Sequence, residues 1–226
     1  MLITLNRVLT AEELAQARAW LAASPWESGL ATAGPQAAAV KRNRQLPESA
    51  PHLPGLRRLV LDALLRIPLF FAAALPAKIL PPFFNRHAVG EEYGWHVDNA
   101  VRQSAKGERV RADVSVTVFL SDPESYEGGE LCIQDLYGVH RVKLAAGSAV
   151  VYPSSSVHRV SPVTRGERVA CFLFIQSLVC DAQRRRELFE LDMALVDLRQ
   201  RLGETDAAVL RLTGVYHNLL RQWAET

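Results

Sequence analysis

The stretch Gly94-Trp95-His96-Val97-Asp98-Asn99 places a histidine and an aspartate two positions apart. In a β-strand, the side chains of residues i and i+2 point to the same face and lie about 6.6–6.8 Å apart along the chain. On a helix, the same two side chains would point to nearly opposite sides. We therefore predict that His96 and Asp98 lie in β-structure and converge on one point.

A second histidine far downstream completes a set of metal-binding groups. His158 follows Pro153-Ser154-Ser155-Ser156-Val157, which reads as a loop that delivers it to the start of a strand. Two imidazoles and one carboxylate are the ligands of a mononuclear non-haem iron(II) site, which leaves three coordination positions open. Singly, His158 has a plainer interpretation as a loop histidine, and Asp98 as part of a turn. Their order in a β-rich chain favours a metal site formed by His96, Asp98 and His158.

Arg168 indicates which co-substrate the metal site would use. The alternation of the strand that begins there puts on one face Arg168, Ala170, Phe172 and Phe174. If that face lines a barrel interior, the guanidinium is buried among apolar groups and requires an anionic partner. The distal carboxylate of 2-oxoglutarate would supply the partner, while its keto-acid end would chelate the iron. The alternative is that Arg168 is a surface residue after Arg165-Gly166-Glu167.

The chain from about Lys78 to Cys180 is typical of an all-β fold. One segment, 113–120, alternates so that Val114, Val116, Val118 and Leu120 share a face. The predicted strands cover residues 79–88, 113–120, 131–136, 139–144, 148–152, 158–163 and 167–178. Short strands separated by turn signals indicate a sandwich or barrel. We predict a mainly β fold with flanking helices, built on a double-stranded β-helix (jelly roll).

Helical patterns flank this β region. Thr10 and Glu13 have capping-box spacing for a helix that Pro25 stops, and a second apolar stripe runs over 54–66. Two further helical segments, 181–202 and 205–223, follow Cys180. We predict a dioxygenase-type domain over 1–180 with its N-terminal helices packed on the sheet. A small C-terminal helical extension would cover 181–226.

Composition excludes several classes. A formal charge of +2 over 226 residues does not favour a nucleic-acid or membrane partner. The most apolar stretch, 67–77, is shorter than the roughly 20 residues of a membrane span. The three cysteines lack CxxC spacing, and the N-terminus lacks a signal-peptide pattern, so we expect a cytoplasmic protein. The basic residues Lys41, Arg42 and Arg44 predict a solvated face or, alternatively, an entrance for an anionic substrate.

Four segments together resemble one family. They are 85–100 around the His-x-Asp pair, Glu127-Gly128-Gly129-Glu130-Leu131, 152–160 around His158, and Gly166-Glu167-Arg168. They are similar to the PKHD-type hydroxylases, a bacterial branch of the prolyl-4-hydroxylase-like iron(II)/2-oxoglutarate dioxygenases, often linked to iron uptake.

The resemblance implies a function and its cofactors. The protein would hydroxylate an unactivated C–H bond with O2 while 2-oxoglutarate is decarboxylated to succinate and CO2, and L-ascorbate would be a further cofactor. His96, Asp98 and His158 would bind Fe(II), and Arg168 would bind 2-oxoglutarate. His87 stands where relatives commonly have a tyrosine that helps hold 2-oxoglutarate. An imidazole can still donate a hydrogen bond to a carboxylate, in a pH-dependent way.

Two other classes of function stay open. One is a non-catalytic metal-binding jelly roll, such as a cupin-like sensor or an iron-homeostasis binding module, although such a protein has no need of Arg168. The other is an interaction module whose C-terminal helices form a homodimer through Tyr216, Leu220 and Trp223; these residues could equally pack on the barrel. The substrate would be a small molecule or a peptide, with Tyr93, Trp95 and Asn99 as candidate wall residues. The remaining histidines fall outside the pattern and are taken as structural or surface residues: His52, His140 and His217.

Overall fold

A computed structural model of the chain describes residues 1–32, 38–103 and 107–225. Its centre consists of two antiparallel β-sheets. The larger sheet contains, in spatial order, β1 (Ile3–Leu5), β14 (Ala149–Pro153), β10 (Val114–Phe119), β17 (Arg168–Ser177), β6 (Phe83–His87), β4 (Arg44–Gln45) and β2 (Glu27–Ser28), and β5 (Pro76–Ile79) pairs with β17. The smaller sheet contains β13 (Gly138–Val142), β12 (Leu131–Asp135), β15 (Val157–Val160), β7 (Glu92–His96) and β3 (Lys41–Arg42).

Two short ribbons and flanking helices complete the fold. The ribbons pair β8 (Val101–Gln103) with β9 (Arg109–Arg111) and β11 (Glu127–Gly128) with β16 (Val163–Arg165). The α-helices are α1 (Ala11–Ala22), α2 (Leu53–Leu65), α3 (Pro68–Ala74), α4 (Ala182–Leu202) and α5 (Ala207–Trp223), with 3-10 turns at Gly29–Thr32 and Pro123–Ser125. The predicted mainly β fold with flanking helices is confirmed.

The N-terminal helices cover the outer face of the larger sheet. Buried side chains of α2, such as Leu56 and Val60, share one hydrophobic core with Val116 of β10 and Leu173 of β17. The Thr10 side chain accepts a hydrogen bond from the backbone of Glu13, whose carboxylate accepts one from the Thr10 backbone, so the predicted capping box begins α1. The predicted packing of these helices on the sheet is confirmed.

The inner faces of the two sheets meet in a second core. Phe119 and Tyr152 come from the larger sheet, and Leu131, Ile133 and Val160 come from the smaller one. Side chains from both sheets interdigitate there, as in a β-sandwich closed into a jelly roll. The functional site described below lies in the same space between the sheets.

The C-terminal helices are attached to the barrel by apolar contacts. Four residues of α5 at helical spacing, Tyr216, Leu219, Leu220 and Trp223, pack in a cluster with Leu75, Leu178, Val179 and Leu188. At the start of α4, the buried Arg185 donates a hydrogen bond of 2.7 Å to the carbonyl of Val179. Of the two interpretations of this stripe, packing on the barrel describes its contacts; homodimerisation stays a prediction.

Several predicted boundaries are wrong. The single strand predicted over 79–88 is two strands, because Pro81 and Pro82 interrupt it and proline lacks the N–H that a ladder requires. The apolar segment 67–77 contains helix α3, and the predicted strand 158–163 is divided between β15 and β16. Strand β7 ends at His96, so Asp98 lies just beyond the strand rather than inside it.

Candidate active site

The two predicted histidine ligands face each other across neighbouring strands. His96 at the end of β7 pairs in register with His158 of β15, and their ring centroids are 4.2 Å apart. One ligand atom from each of His96, Asp98 and His158 lies within 4.8 Å of the others. The structure therefore brings the three residues together, even though Asp98 follows the strand rather than belonging to it.

Backbone carbonyls fix the orientation of both imidazoles. His96 Nδ1 lies 2.8 Å from the carbonyl of Gly94, and His158 Nδ1 lies 3.0 Å from the carbonyl of Ser156. A carbonyl only accepts, so each Nδ1 carries the proton and each Nε2 presents a lone pair. Metal-binding histidines commonly have this arrangement, which fixes the tautomer and the ring direction.

A pair of serines holds the carboxylate. Ser115 Oγ donates a hydrogen bond of 2.8 Å to Asp98 Oδ2, and Ser115 Oγ and Ser154 Oγ are 2.7 Å apart. The same Asp98 oxygen is 3.7 Å from His158 Nε2. Ser115 and Ser154 are both buried, so this network has a defined geometry.

Burial keeps the first imidazole neutral. Desolvation, with the neighbouring His158 as a second cause, lowers the pKa of His96 to about 4. Because a metal binds the neutral imidazole, protons do not compete for His96 near neutral pH. Tyr93 stacks on His96 at 3.6 Å between ring centroids, and burial raises the Tyr93 pKa to about 12, so its hydroxyl stays protonated.

Arg168 is a buried guanidinium without an anionic partner among the residues that the structure describes. Its side chain is 1% exposed, and the ring of Phe119 lies 5.5 Å from the guanidinium carbon. Nη1 donates a long bond of 3.5 Å to Asn85 Oδ1, and Nε has no hydrogen-bond partner. Over the ranges that the structure describes, no carboxylate lies within ion-pair distance of Arg168. The alternative interpretation of Arg168 as a surface residue is wrong.

One cavity between the sheets connects this arginine to the three candidate metal ligands. Its polar lining comes from both sheets and from the segment after β7: Lys41, Asn85, Tyr93, His96, Asp98, Ser115, Thr117, Tyr152, His158 and Arg168. Its apolar lining includes Leu131, Val160, Phe172 and Phe174. Three candidate metal ligands and a buried cation without an ion-pair partner among the described residues thus line the same cavity.

Comparisons with known proteins identify the family. Residues 82–176 match the 2OG-Fe(II) oxygenase superfamily, and residues 181–225 match the PKHD-type hydroxylase C-terminal domain. The chain is 66% identical to a PKHD-type hydroxylase of Azoarcus sp. (strain BH72) and 62% identical to one of Nitrosomonas eutropha, each over 100% of both chains. The protein belongs to the PKHD-type hydroxylases.

Solved structures support the fold. A prolyl-4-hydroxylase from Pseudomonas putida superposes with a TM-score of 0.53 at 20% identity, over 78% of this chain and 92% of that one. HygX from Streptomyces hygroscopicus, solved with nickel, 2-oxoglutarate and hygromycin B, gives 0.55 at 17% identity, over 78% and 82%. At such identities these structures establish the shared fold alone.

Family membership establishes the type of reaction. As a PKHD-type hydroxylase with a 2OG-Fe(II) oxygenase domain, the protein is an Fe(II)- and 2-oxoglutarate-dependent dioxygenase. The non-catalytic metal-binding alternative is therefore not favoured. Among the helices in the described ranges, none combines the length and apolar character needed to cross a bilayer.

His87 occupies a different place from the one predicted for this hydroxylase. It is fully buried in β6, opposite Arg168 of β17, and its Nε2 lies 3.3 Å from Asn43 Nδ2. It does not belong to the cavity lining. Burial, together with Arg168 and Lys41, holds the His87 pKa well below its usual range, so the ring is neutral. The structure therefore brings His87 beside Arg168 without bringing it to the cavity.

For Lys41, the solvated-face interpretation of the basic segment is wrong, because its side chain is buried and lines the cavity. It is 6% exposed, donates to Gln45 Oε1 at 3.3 Å and lies with Nζ 5.4 Å from the centroid of the Tyr93 ring. Burial, with Arg102 as a second cause, lowers its pKa to about 8. The neighbouring Arg42 points outward and pairs with Glu92, as a solvated face requires. Successive residues of a strand point to opposite faces, so alternation over 41–42 could have predicted that Lys41 points inward and Arg42 outward.

The other sequence candidates are distributed around the site. Tyr93 lines the cavity, whereas Trp95 does not. Trp95 is 40% exposed, and the guanidinium of Arg159 lies over its ring. Asn99 borders a neighbouring cleft with Arg102. The three remaining histidines lie elsewhere: His52 stacks on Trp20, His140 pairs with Asp135, and His217 contacts Tyr216.

Proposed function

We propose that His96, Asp98 and His158 hold the Fe(II) of this hydroxylase and that Arg168 binds the distal carboxylate of 2-oxoglutarate. The observation that carries the proposal is Arg168 itself. A buried guanidinium without an anion is unfavourable, and it lines the same cavity as the three metal-binding residues. A doubly charged co-substrate that binds both iron and Arg168 accounts for both features.

The donor set fits iron(II). Two imidazole nitrogens and one carboxylate oxygen leave positions open for a chelating keto acid and for O2. When bound, iron supplies the oxidising chemistry that converts an unactivated C–H bond to C–OH while 2-oxoglutarate becomes succinate and CO2. O2 is the oxidant in this proposal, and a small molecule or a peptide is the substrate.

The protein's own groups position and protect this chemistry. The carbonyls of Gly94 and Ser156 hold each Nε2 toward the cavity, and Ser115 orients the Asp98 carboxylate. The apolar side chains of Phe172 and Val160 line the cavity and would limit the access of water to a bound co-substrate. Exclusion of water strengthens the pairing of Arg168 with a carboxylate, because the local dielectric is low.

Three further assignments complete the proposal. His87 supports Arg168 from behind, since it pairs with it across β6 and β17 and packs against Asn43. L-Ascorbate keeps the iron reduced between turnovers, as the sequence resemblance suggests. The cytoplasm, a reducing compartment, suits three cysteines that are all free.

Anaerobic titration followed by exposure to air tests the proposal. Addition of Fe(II) and then 2-oxoglutarate should give the visible charge-transfer band of a bound 2-oxo acid, and air should then release succinate. Arg168→Met should bind Fe(II) but require far more 2-oxoglutarate to develop the band. The surface variant Arg42→Met is the matched control and should titrate like the wild type.

Two results would contradict the proposal. Iron binding without any 2-oxoglutarate band would favour the non-catalytic metal-binding alternative. A band of normal affinity in Arg168→Met would remove Arg168 from the co-substrate site, since its charge-assisted hydrogen bonds should be essential.

A further inference from the structure

Asn85 is a second polar residue beside Arg168 in the lining of the cavity. It lies in β6 and is 8% exposed. Its Oδ1 atom accepts the 3.5 Å hydrogen bond from Arg168 Nη1. A guanidinium has only donors, so the amide oxygen, rather than the amide nitrogen, must face Arg168. The chemistry of this contact therefore sets the direction of the Asn85 amide.

The nitrogen of this amide carries two unused donors. The Nδ2 group of Asn85 has two N–H bonds, and no residue in the described ranges accepts a hydrogen bond from it. Nδ2 and Oδ1 are attached to the same carbon, so Nδ2 also lies near the guanidinium. Arg168 Nε likewise has no partner among the described residues. Amide and guanidinium donors thus lie side by side in one cavity, and a carboxylate, with about four lone-pair sites, can accept from both.

Strand pairing determines that Asn85, rather than His87, borders the cavity. Arg168 of β17 lies opposite His87 of β6, and Ala170 lies opposite Asn85. Alanine has only a methyl side chain, so the longer Arg168 side chain has room to reach Asn85 diagonally across the two strands. His87 instead contacts Asn43 and lies outside the cavity lining. Asn85, two positions earlier in β6, is thus a polar neighbour of Arg168 that does reach the cavity.

An amide fits this position better than a carboxylate would. The amide oxygen supports the guanidinium without neutralising it, so Arg168 keeps a full positive charge for a ligand. An aspartate of the same shape would form an ion pair with Arg168 and compete with an anionic ligand. The amide nitrogen also adds donors that a carboxylate lacks. Asn85 thus holds Arg168 in place and extends the same set of donors.

We infer that Asn85, together with Arg168, determines the specificity for the co-substrate, with Asn85 Nδ2 donating a hydrogen bond to the distal carboxylate of 2-oxoglutarate. This inference rests on the proposed function and deepens it, because it assigns a second protein donor to the same carboxylate. A 2-oxo acid without a distal carboxylate gains nothing from Asn85, and this difference makes the assignment testable.

The test compares 2-oxoglutarate with 2-oxopentanoate, which has the same carbon chain with a methyl group in place of the distal carboxylate. Their dissociation constants are read from the charge-transfer band of the anaerobic Fe(II)-loaded protein. Hydrogen bonds to charged groups are strong, so Asn85→Leu should weaken 2-oxoglutarate binding about 10-fold or more. The affinity for 2-oxopentanoate should stay within about twofold of wild type, since that ligand offers Asn85 no distal acceptor.

Asn85→Asp sharpens the comparison. Its carboxylate should pair with Arg168 and repel the ligand, so it should weaken 2-oxoglutarate binding more than Asn85→Leu does. Its affinity for 2-oxopentanoate should again match that of wild type. A loss confined to one of the two keto acids cannot come from general damage to the iron site.

Asn218 supplies the matched control. Its Oδ1 atom also accepts a hydrogen bond from an arginine, Arg221, at 2.8 Å, but this contact is exposed on α5. Asn218→Leu and Asn218→Asp make the same chemical changes outside the cavity lining and should bind both keto acids like the wild type.

The contradicting outcomes are distinct. Unchanged 2-oxoglutarate affinity in Asn85→Leu overturns the inference, and so does an equal loss for both keto acids, which would make Asn85 a structural residue. Either result leaves the proposed function intact as long as Arg168→Met loses 2-oxoglutarate affinity. A wild-type protein that binds 2-oxoglutarate no better than 2-oxopentanoate would instead contradict the assignment of the distal carboxylate to Arg168. The proposed function would then fail before the Asn85 variants are compared.

Discussion

The two faces of strand β17 are both buried, but they serve different purposes. Val169, Cys171, Leu173 and Ile175 face the helices and belong to, or pack against, the main hydrophobic core. On the opposite face, Arg168 and Phe172 line the cavity between the sheets. Neighbouring residues of one strand thus lie in different environments: one face contacts an apolar core, and the other borders a cavity with charged and polar groups in its lining.

The helix face of β17 stabilises the fold, whereas the cavity face contains a buried charge that destabilises it. Each fully buried aliphatic side chain on the helix face contributes about 1.5–3 kcal/mol through removal of apolar area from water. On the cavity face, Arg168 loses hydration without gaining an ion pair, so its contribution to folding is unfavourable until a ligand binds. The same burial therefore stabilises the fold on one face and creates binding capacity on the other.

The largest effect should come from His96→Ala, a change on the cavity side alone. Loss of one of the three proposed ligands should lower iron affinity by more than about 100-fold, since removal of mere supporting hydrogen bonds already lowers it about 10–100-fold. Equilibrium dialysis with Fe(II) under argon measures the affinity, and thermal unfolding of the metal-free protein is the control. A variant that retains iron would remove His96 from the ligand set.

Ile175→Ala should show the reverse pattern. It removes a fully buried side chain from the helix face, and such truncations lower the free energy of unfolding by about 2–5 kcal/mol. Urea denaturation measures this loss. The 2-oxoglutarate affinity of the folded fraction should stay unchanged; a parallel loss of affinity would mean that the two faces are coupled.

Arg168→Met, on the cavity face of the same strand, should separate binding from stability. Hydrogen bonds to a charged group contribute about 1.5–3 kcal/mol, so 2-oxoglutarate affinity should fall about 10–150-fold. The metal-free protein should be at least as stable as wild type, because an unpaired buried charge is replaced by a chain of similar size. Urea denaturation without ligands checks this point, and a marked destabilisation would contradict the account of β17.

Ser115→Ala tests the support of the carboxylate. The variant removes the hydrogen bond to Asp98 Oδ2 and should weaken iron binding about 10–100-fold, less than His96→Ala does. Thr117→Val, two residues along the same face of β10, is a matched control, since Thr117 forms no hydrogen bond with Asp98 in the described part of the chain. Unchanged iron affinity in Ser115→Ala would show that Asp98 is held by other contacts.

The smallest effect is expected for His87→Phe. Burial and the neighbouring cations hold the His87 pKa well below its usual range, so the imidazole stays neutral at neutral pH. We expect 2-oxoglutarate affinity to change by no more than about threefold, the lower part of the range for a neutral hydrogen bond. A wild-type affinity that increases below pH 7 and is flat in His87→Phe would restore the pH-dependent contact suggested by the sequence.

The same two faces explain which predictions succeeded. The alternation of 113–120 correctly grouped Val114, Val116 and Val118, because a sheet face that packs on helices needs continuous apolar side chains. It gave no role to Ser115, since a polar residue in such a pattern ordinarily faces water. Here that face points into the cavity between the sheets, which exists only because the second sheet packs opposite it.

Sequence alone predicted the chemistry of the site from a His-x-Asp pair, a later histidine and an arginine at the start of an alternating strand. Those residue types and their order restrict the possible ligands, and a jelly roll follows from short alternating strands. Only the tertiary structure decided that Lys41 enters the cavity, that His87 stays behind Arg168, and that Asp98 reaches its position from beyond the end of β7. These are matters of which strands become neighbours, and strand pairing between distant segments depends on long-range packing that local patterns do not specify.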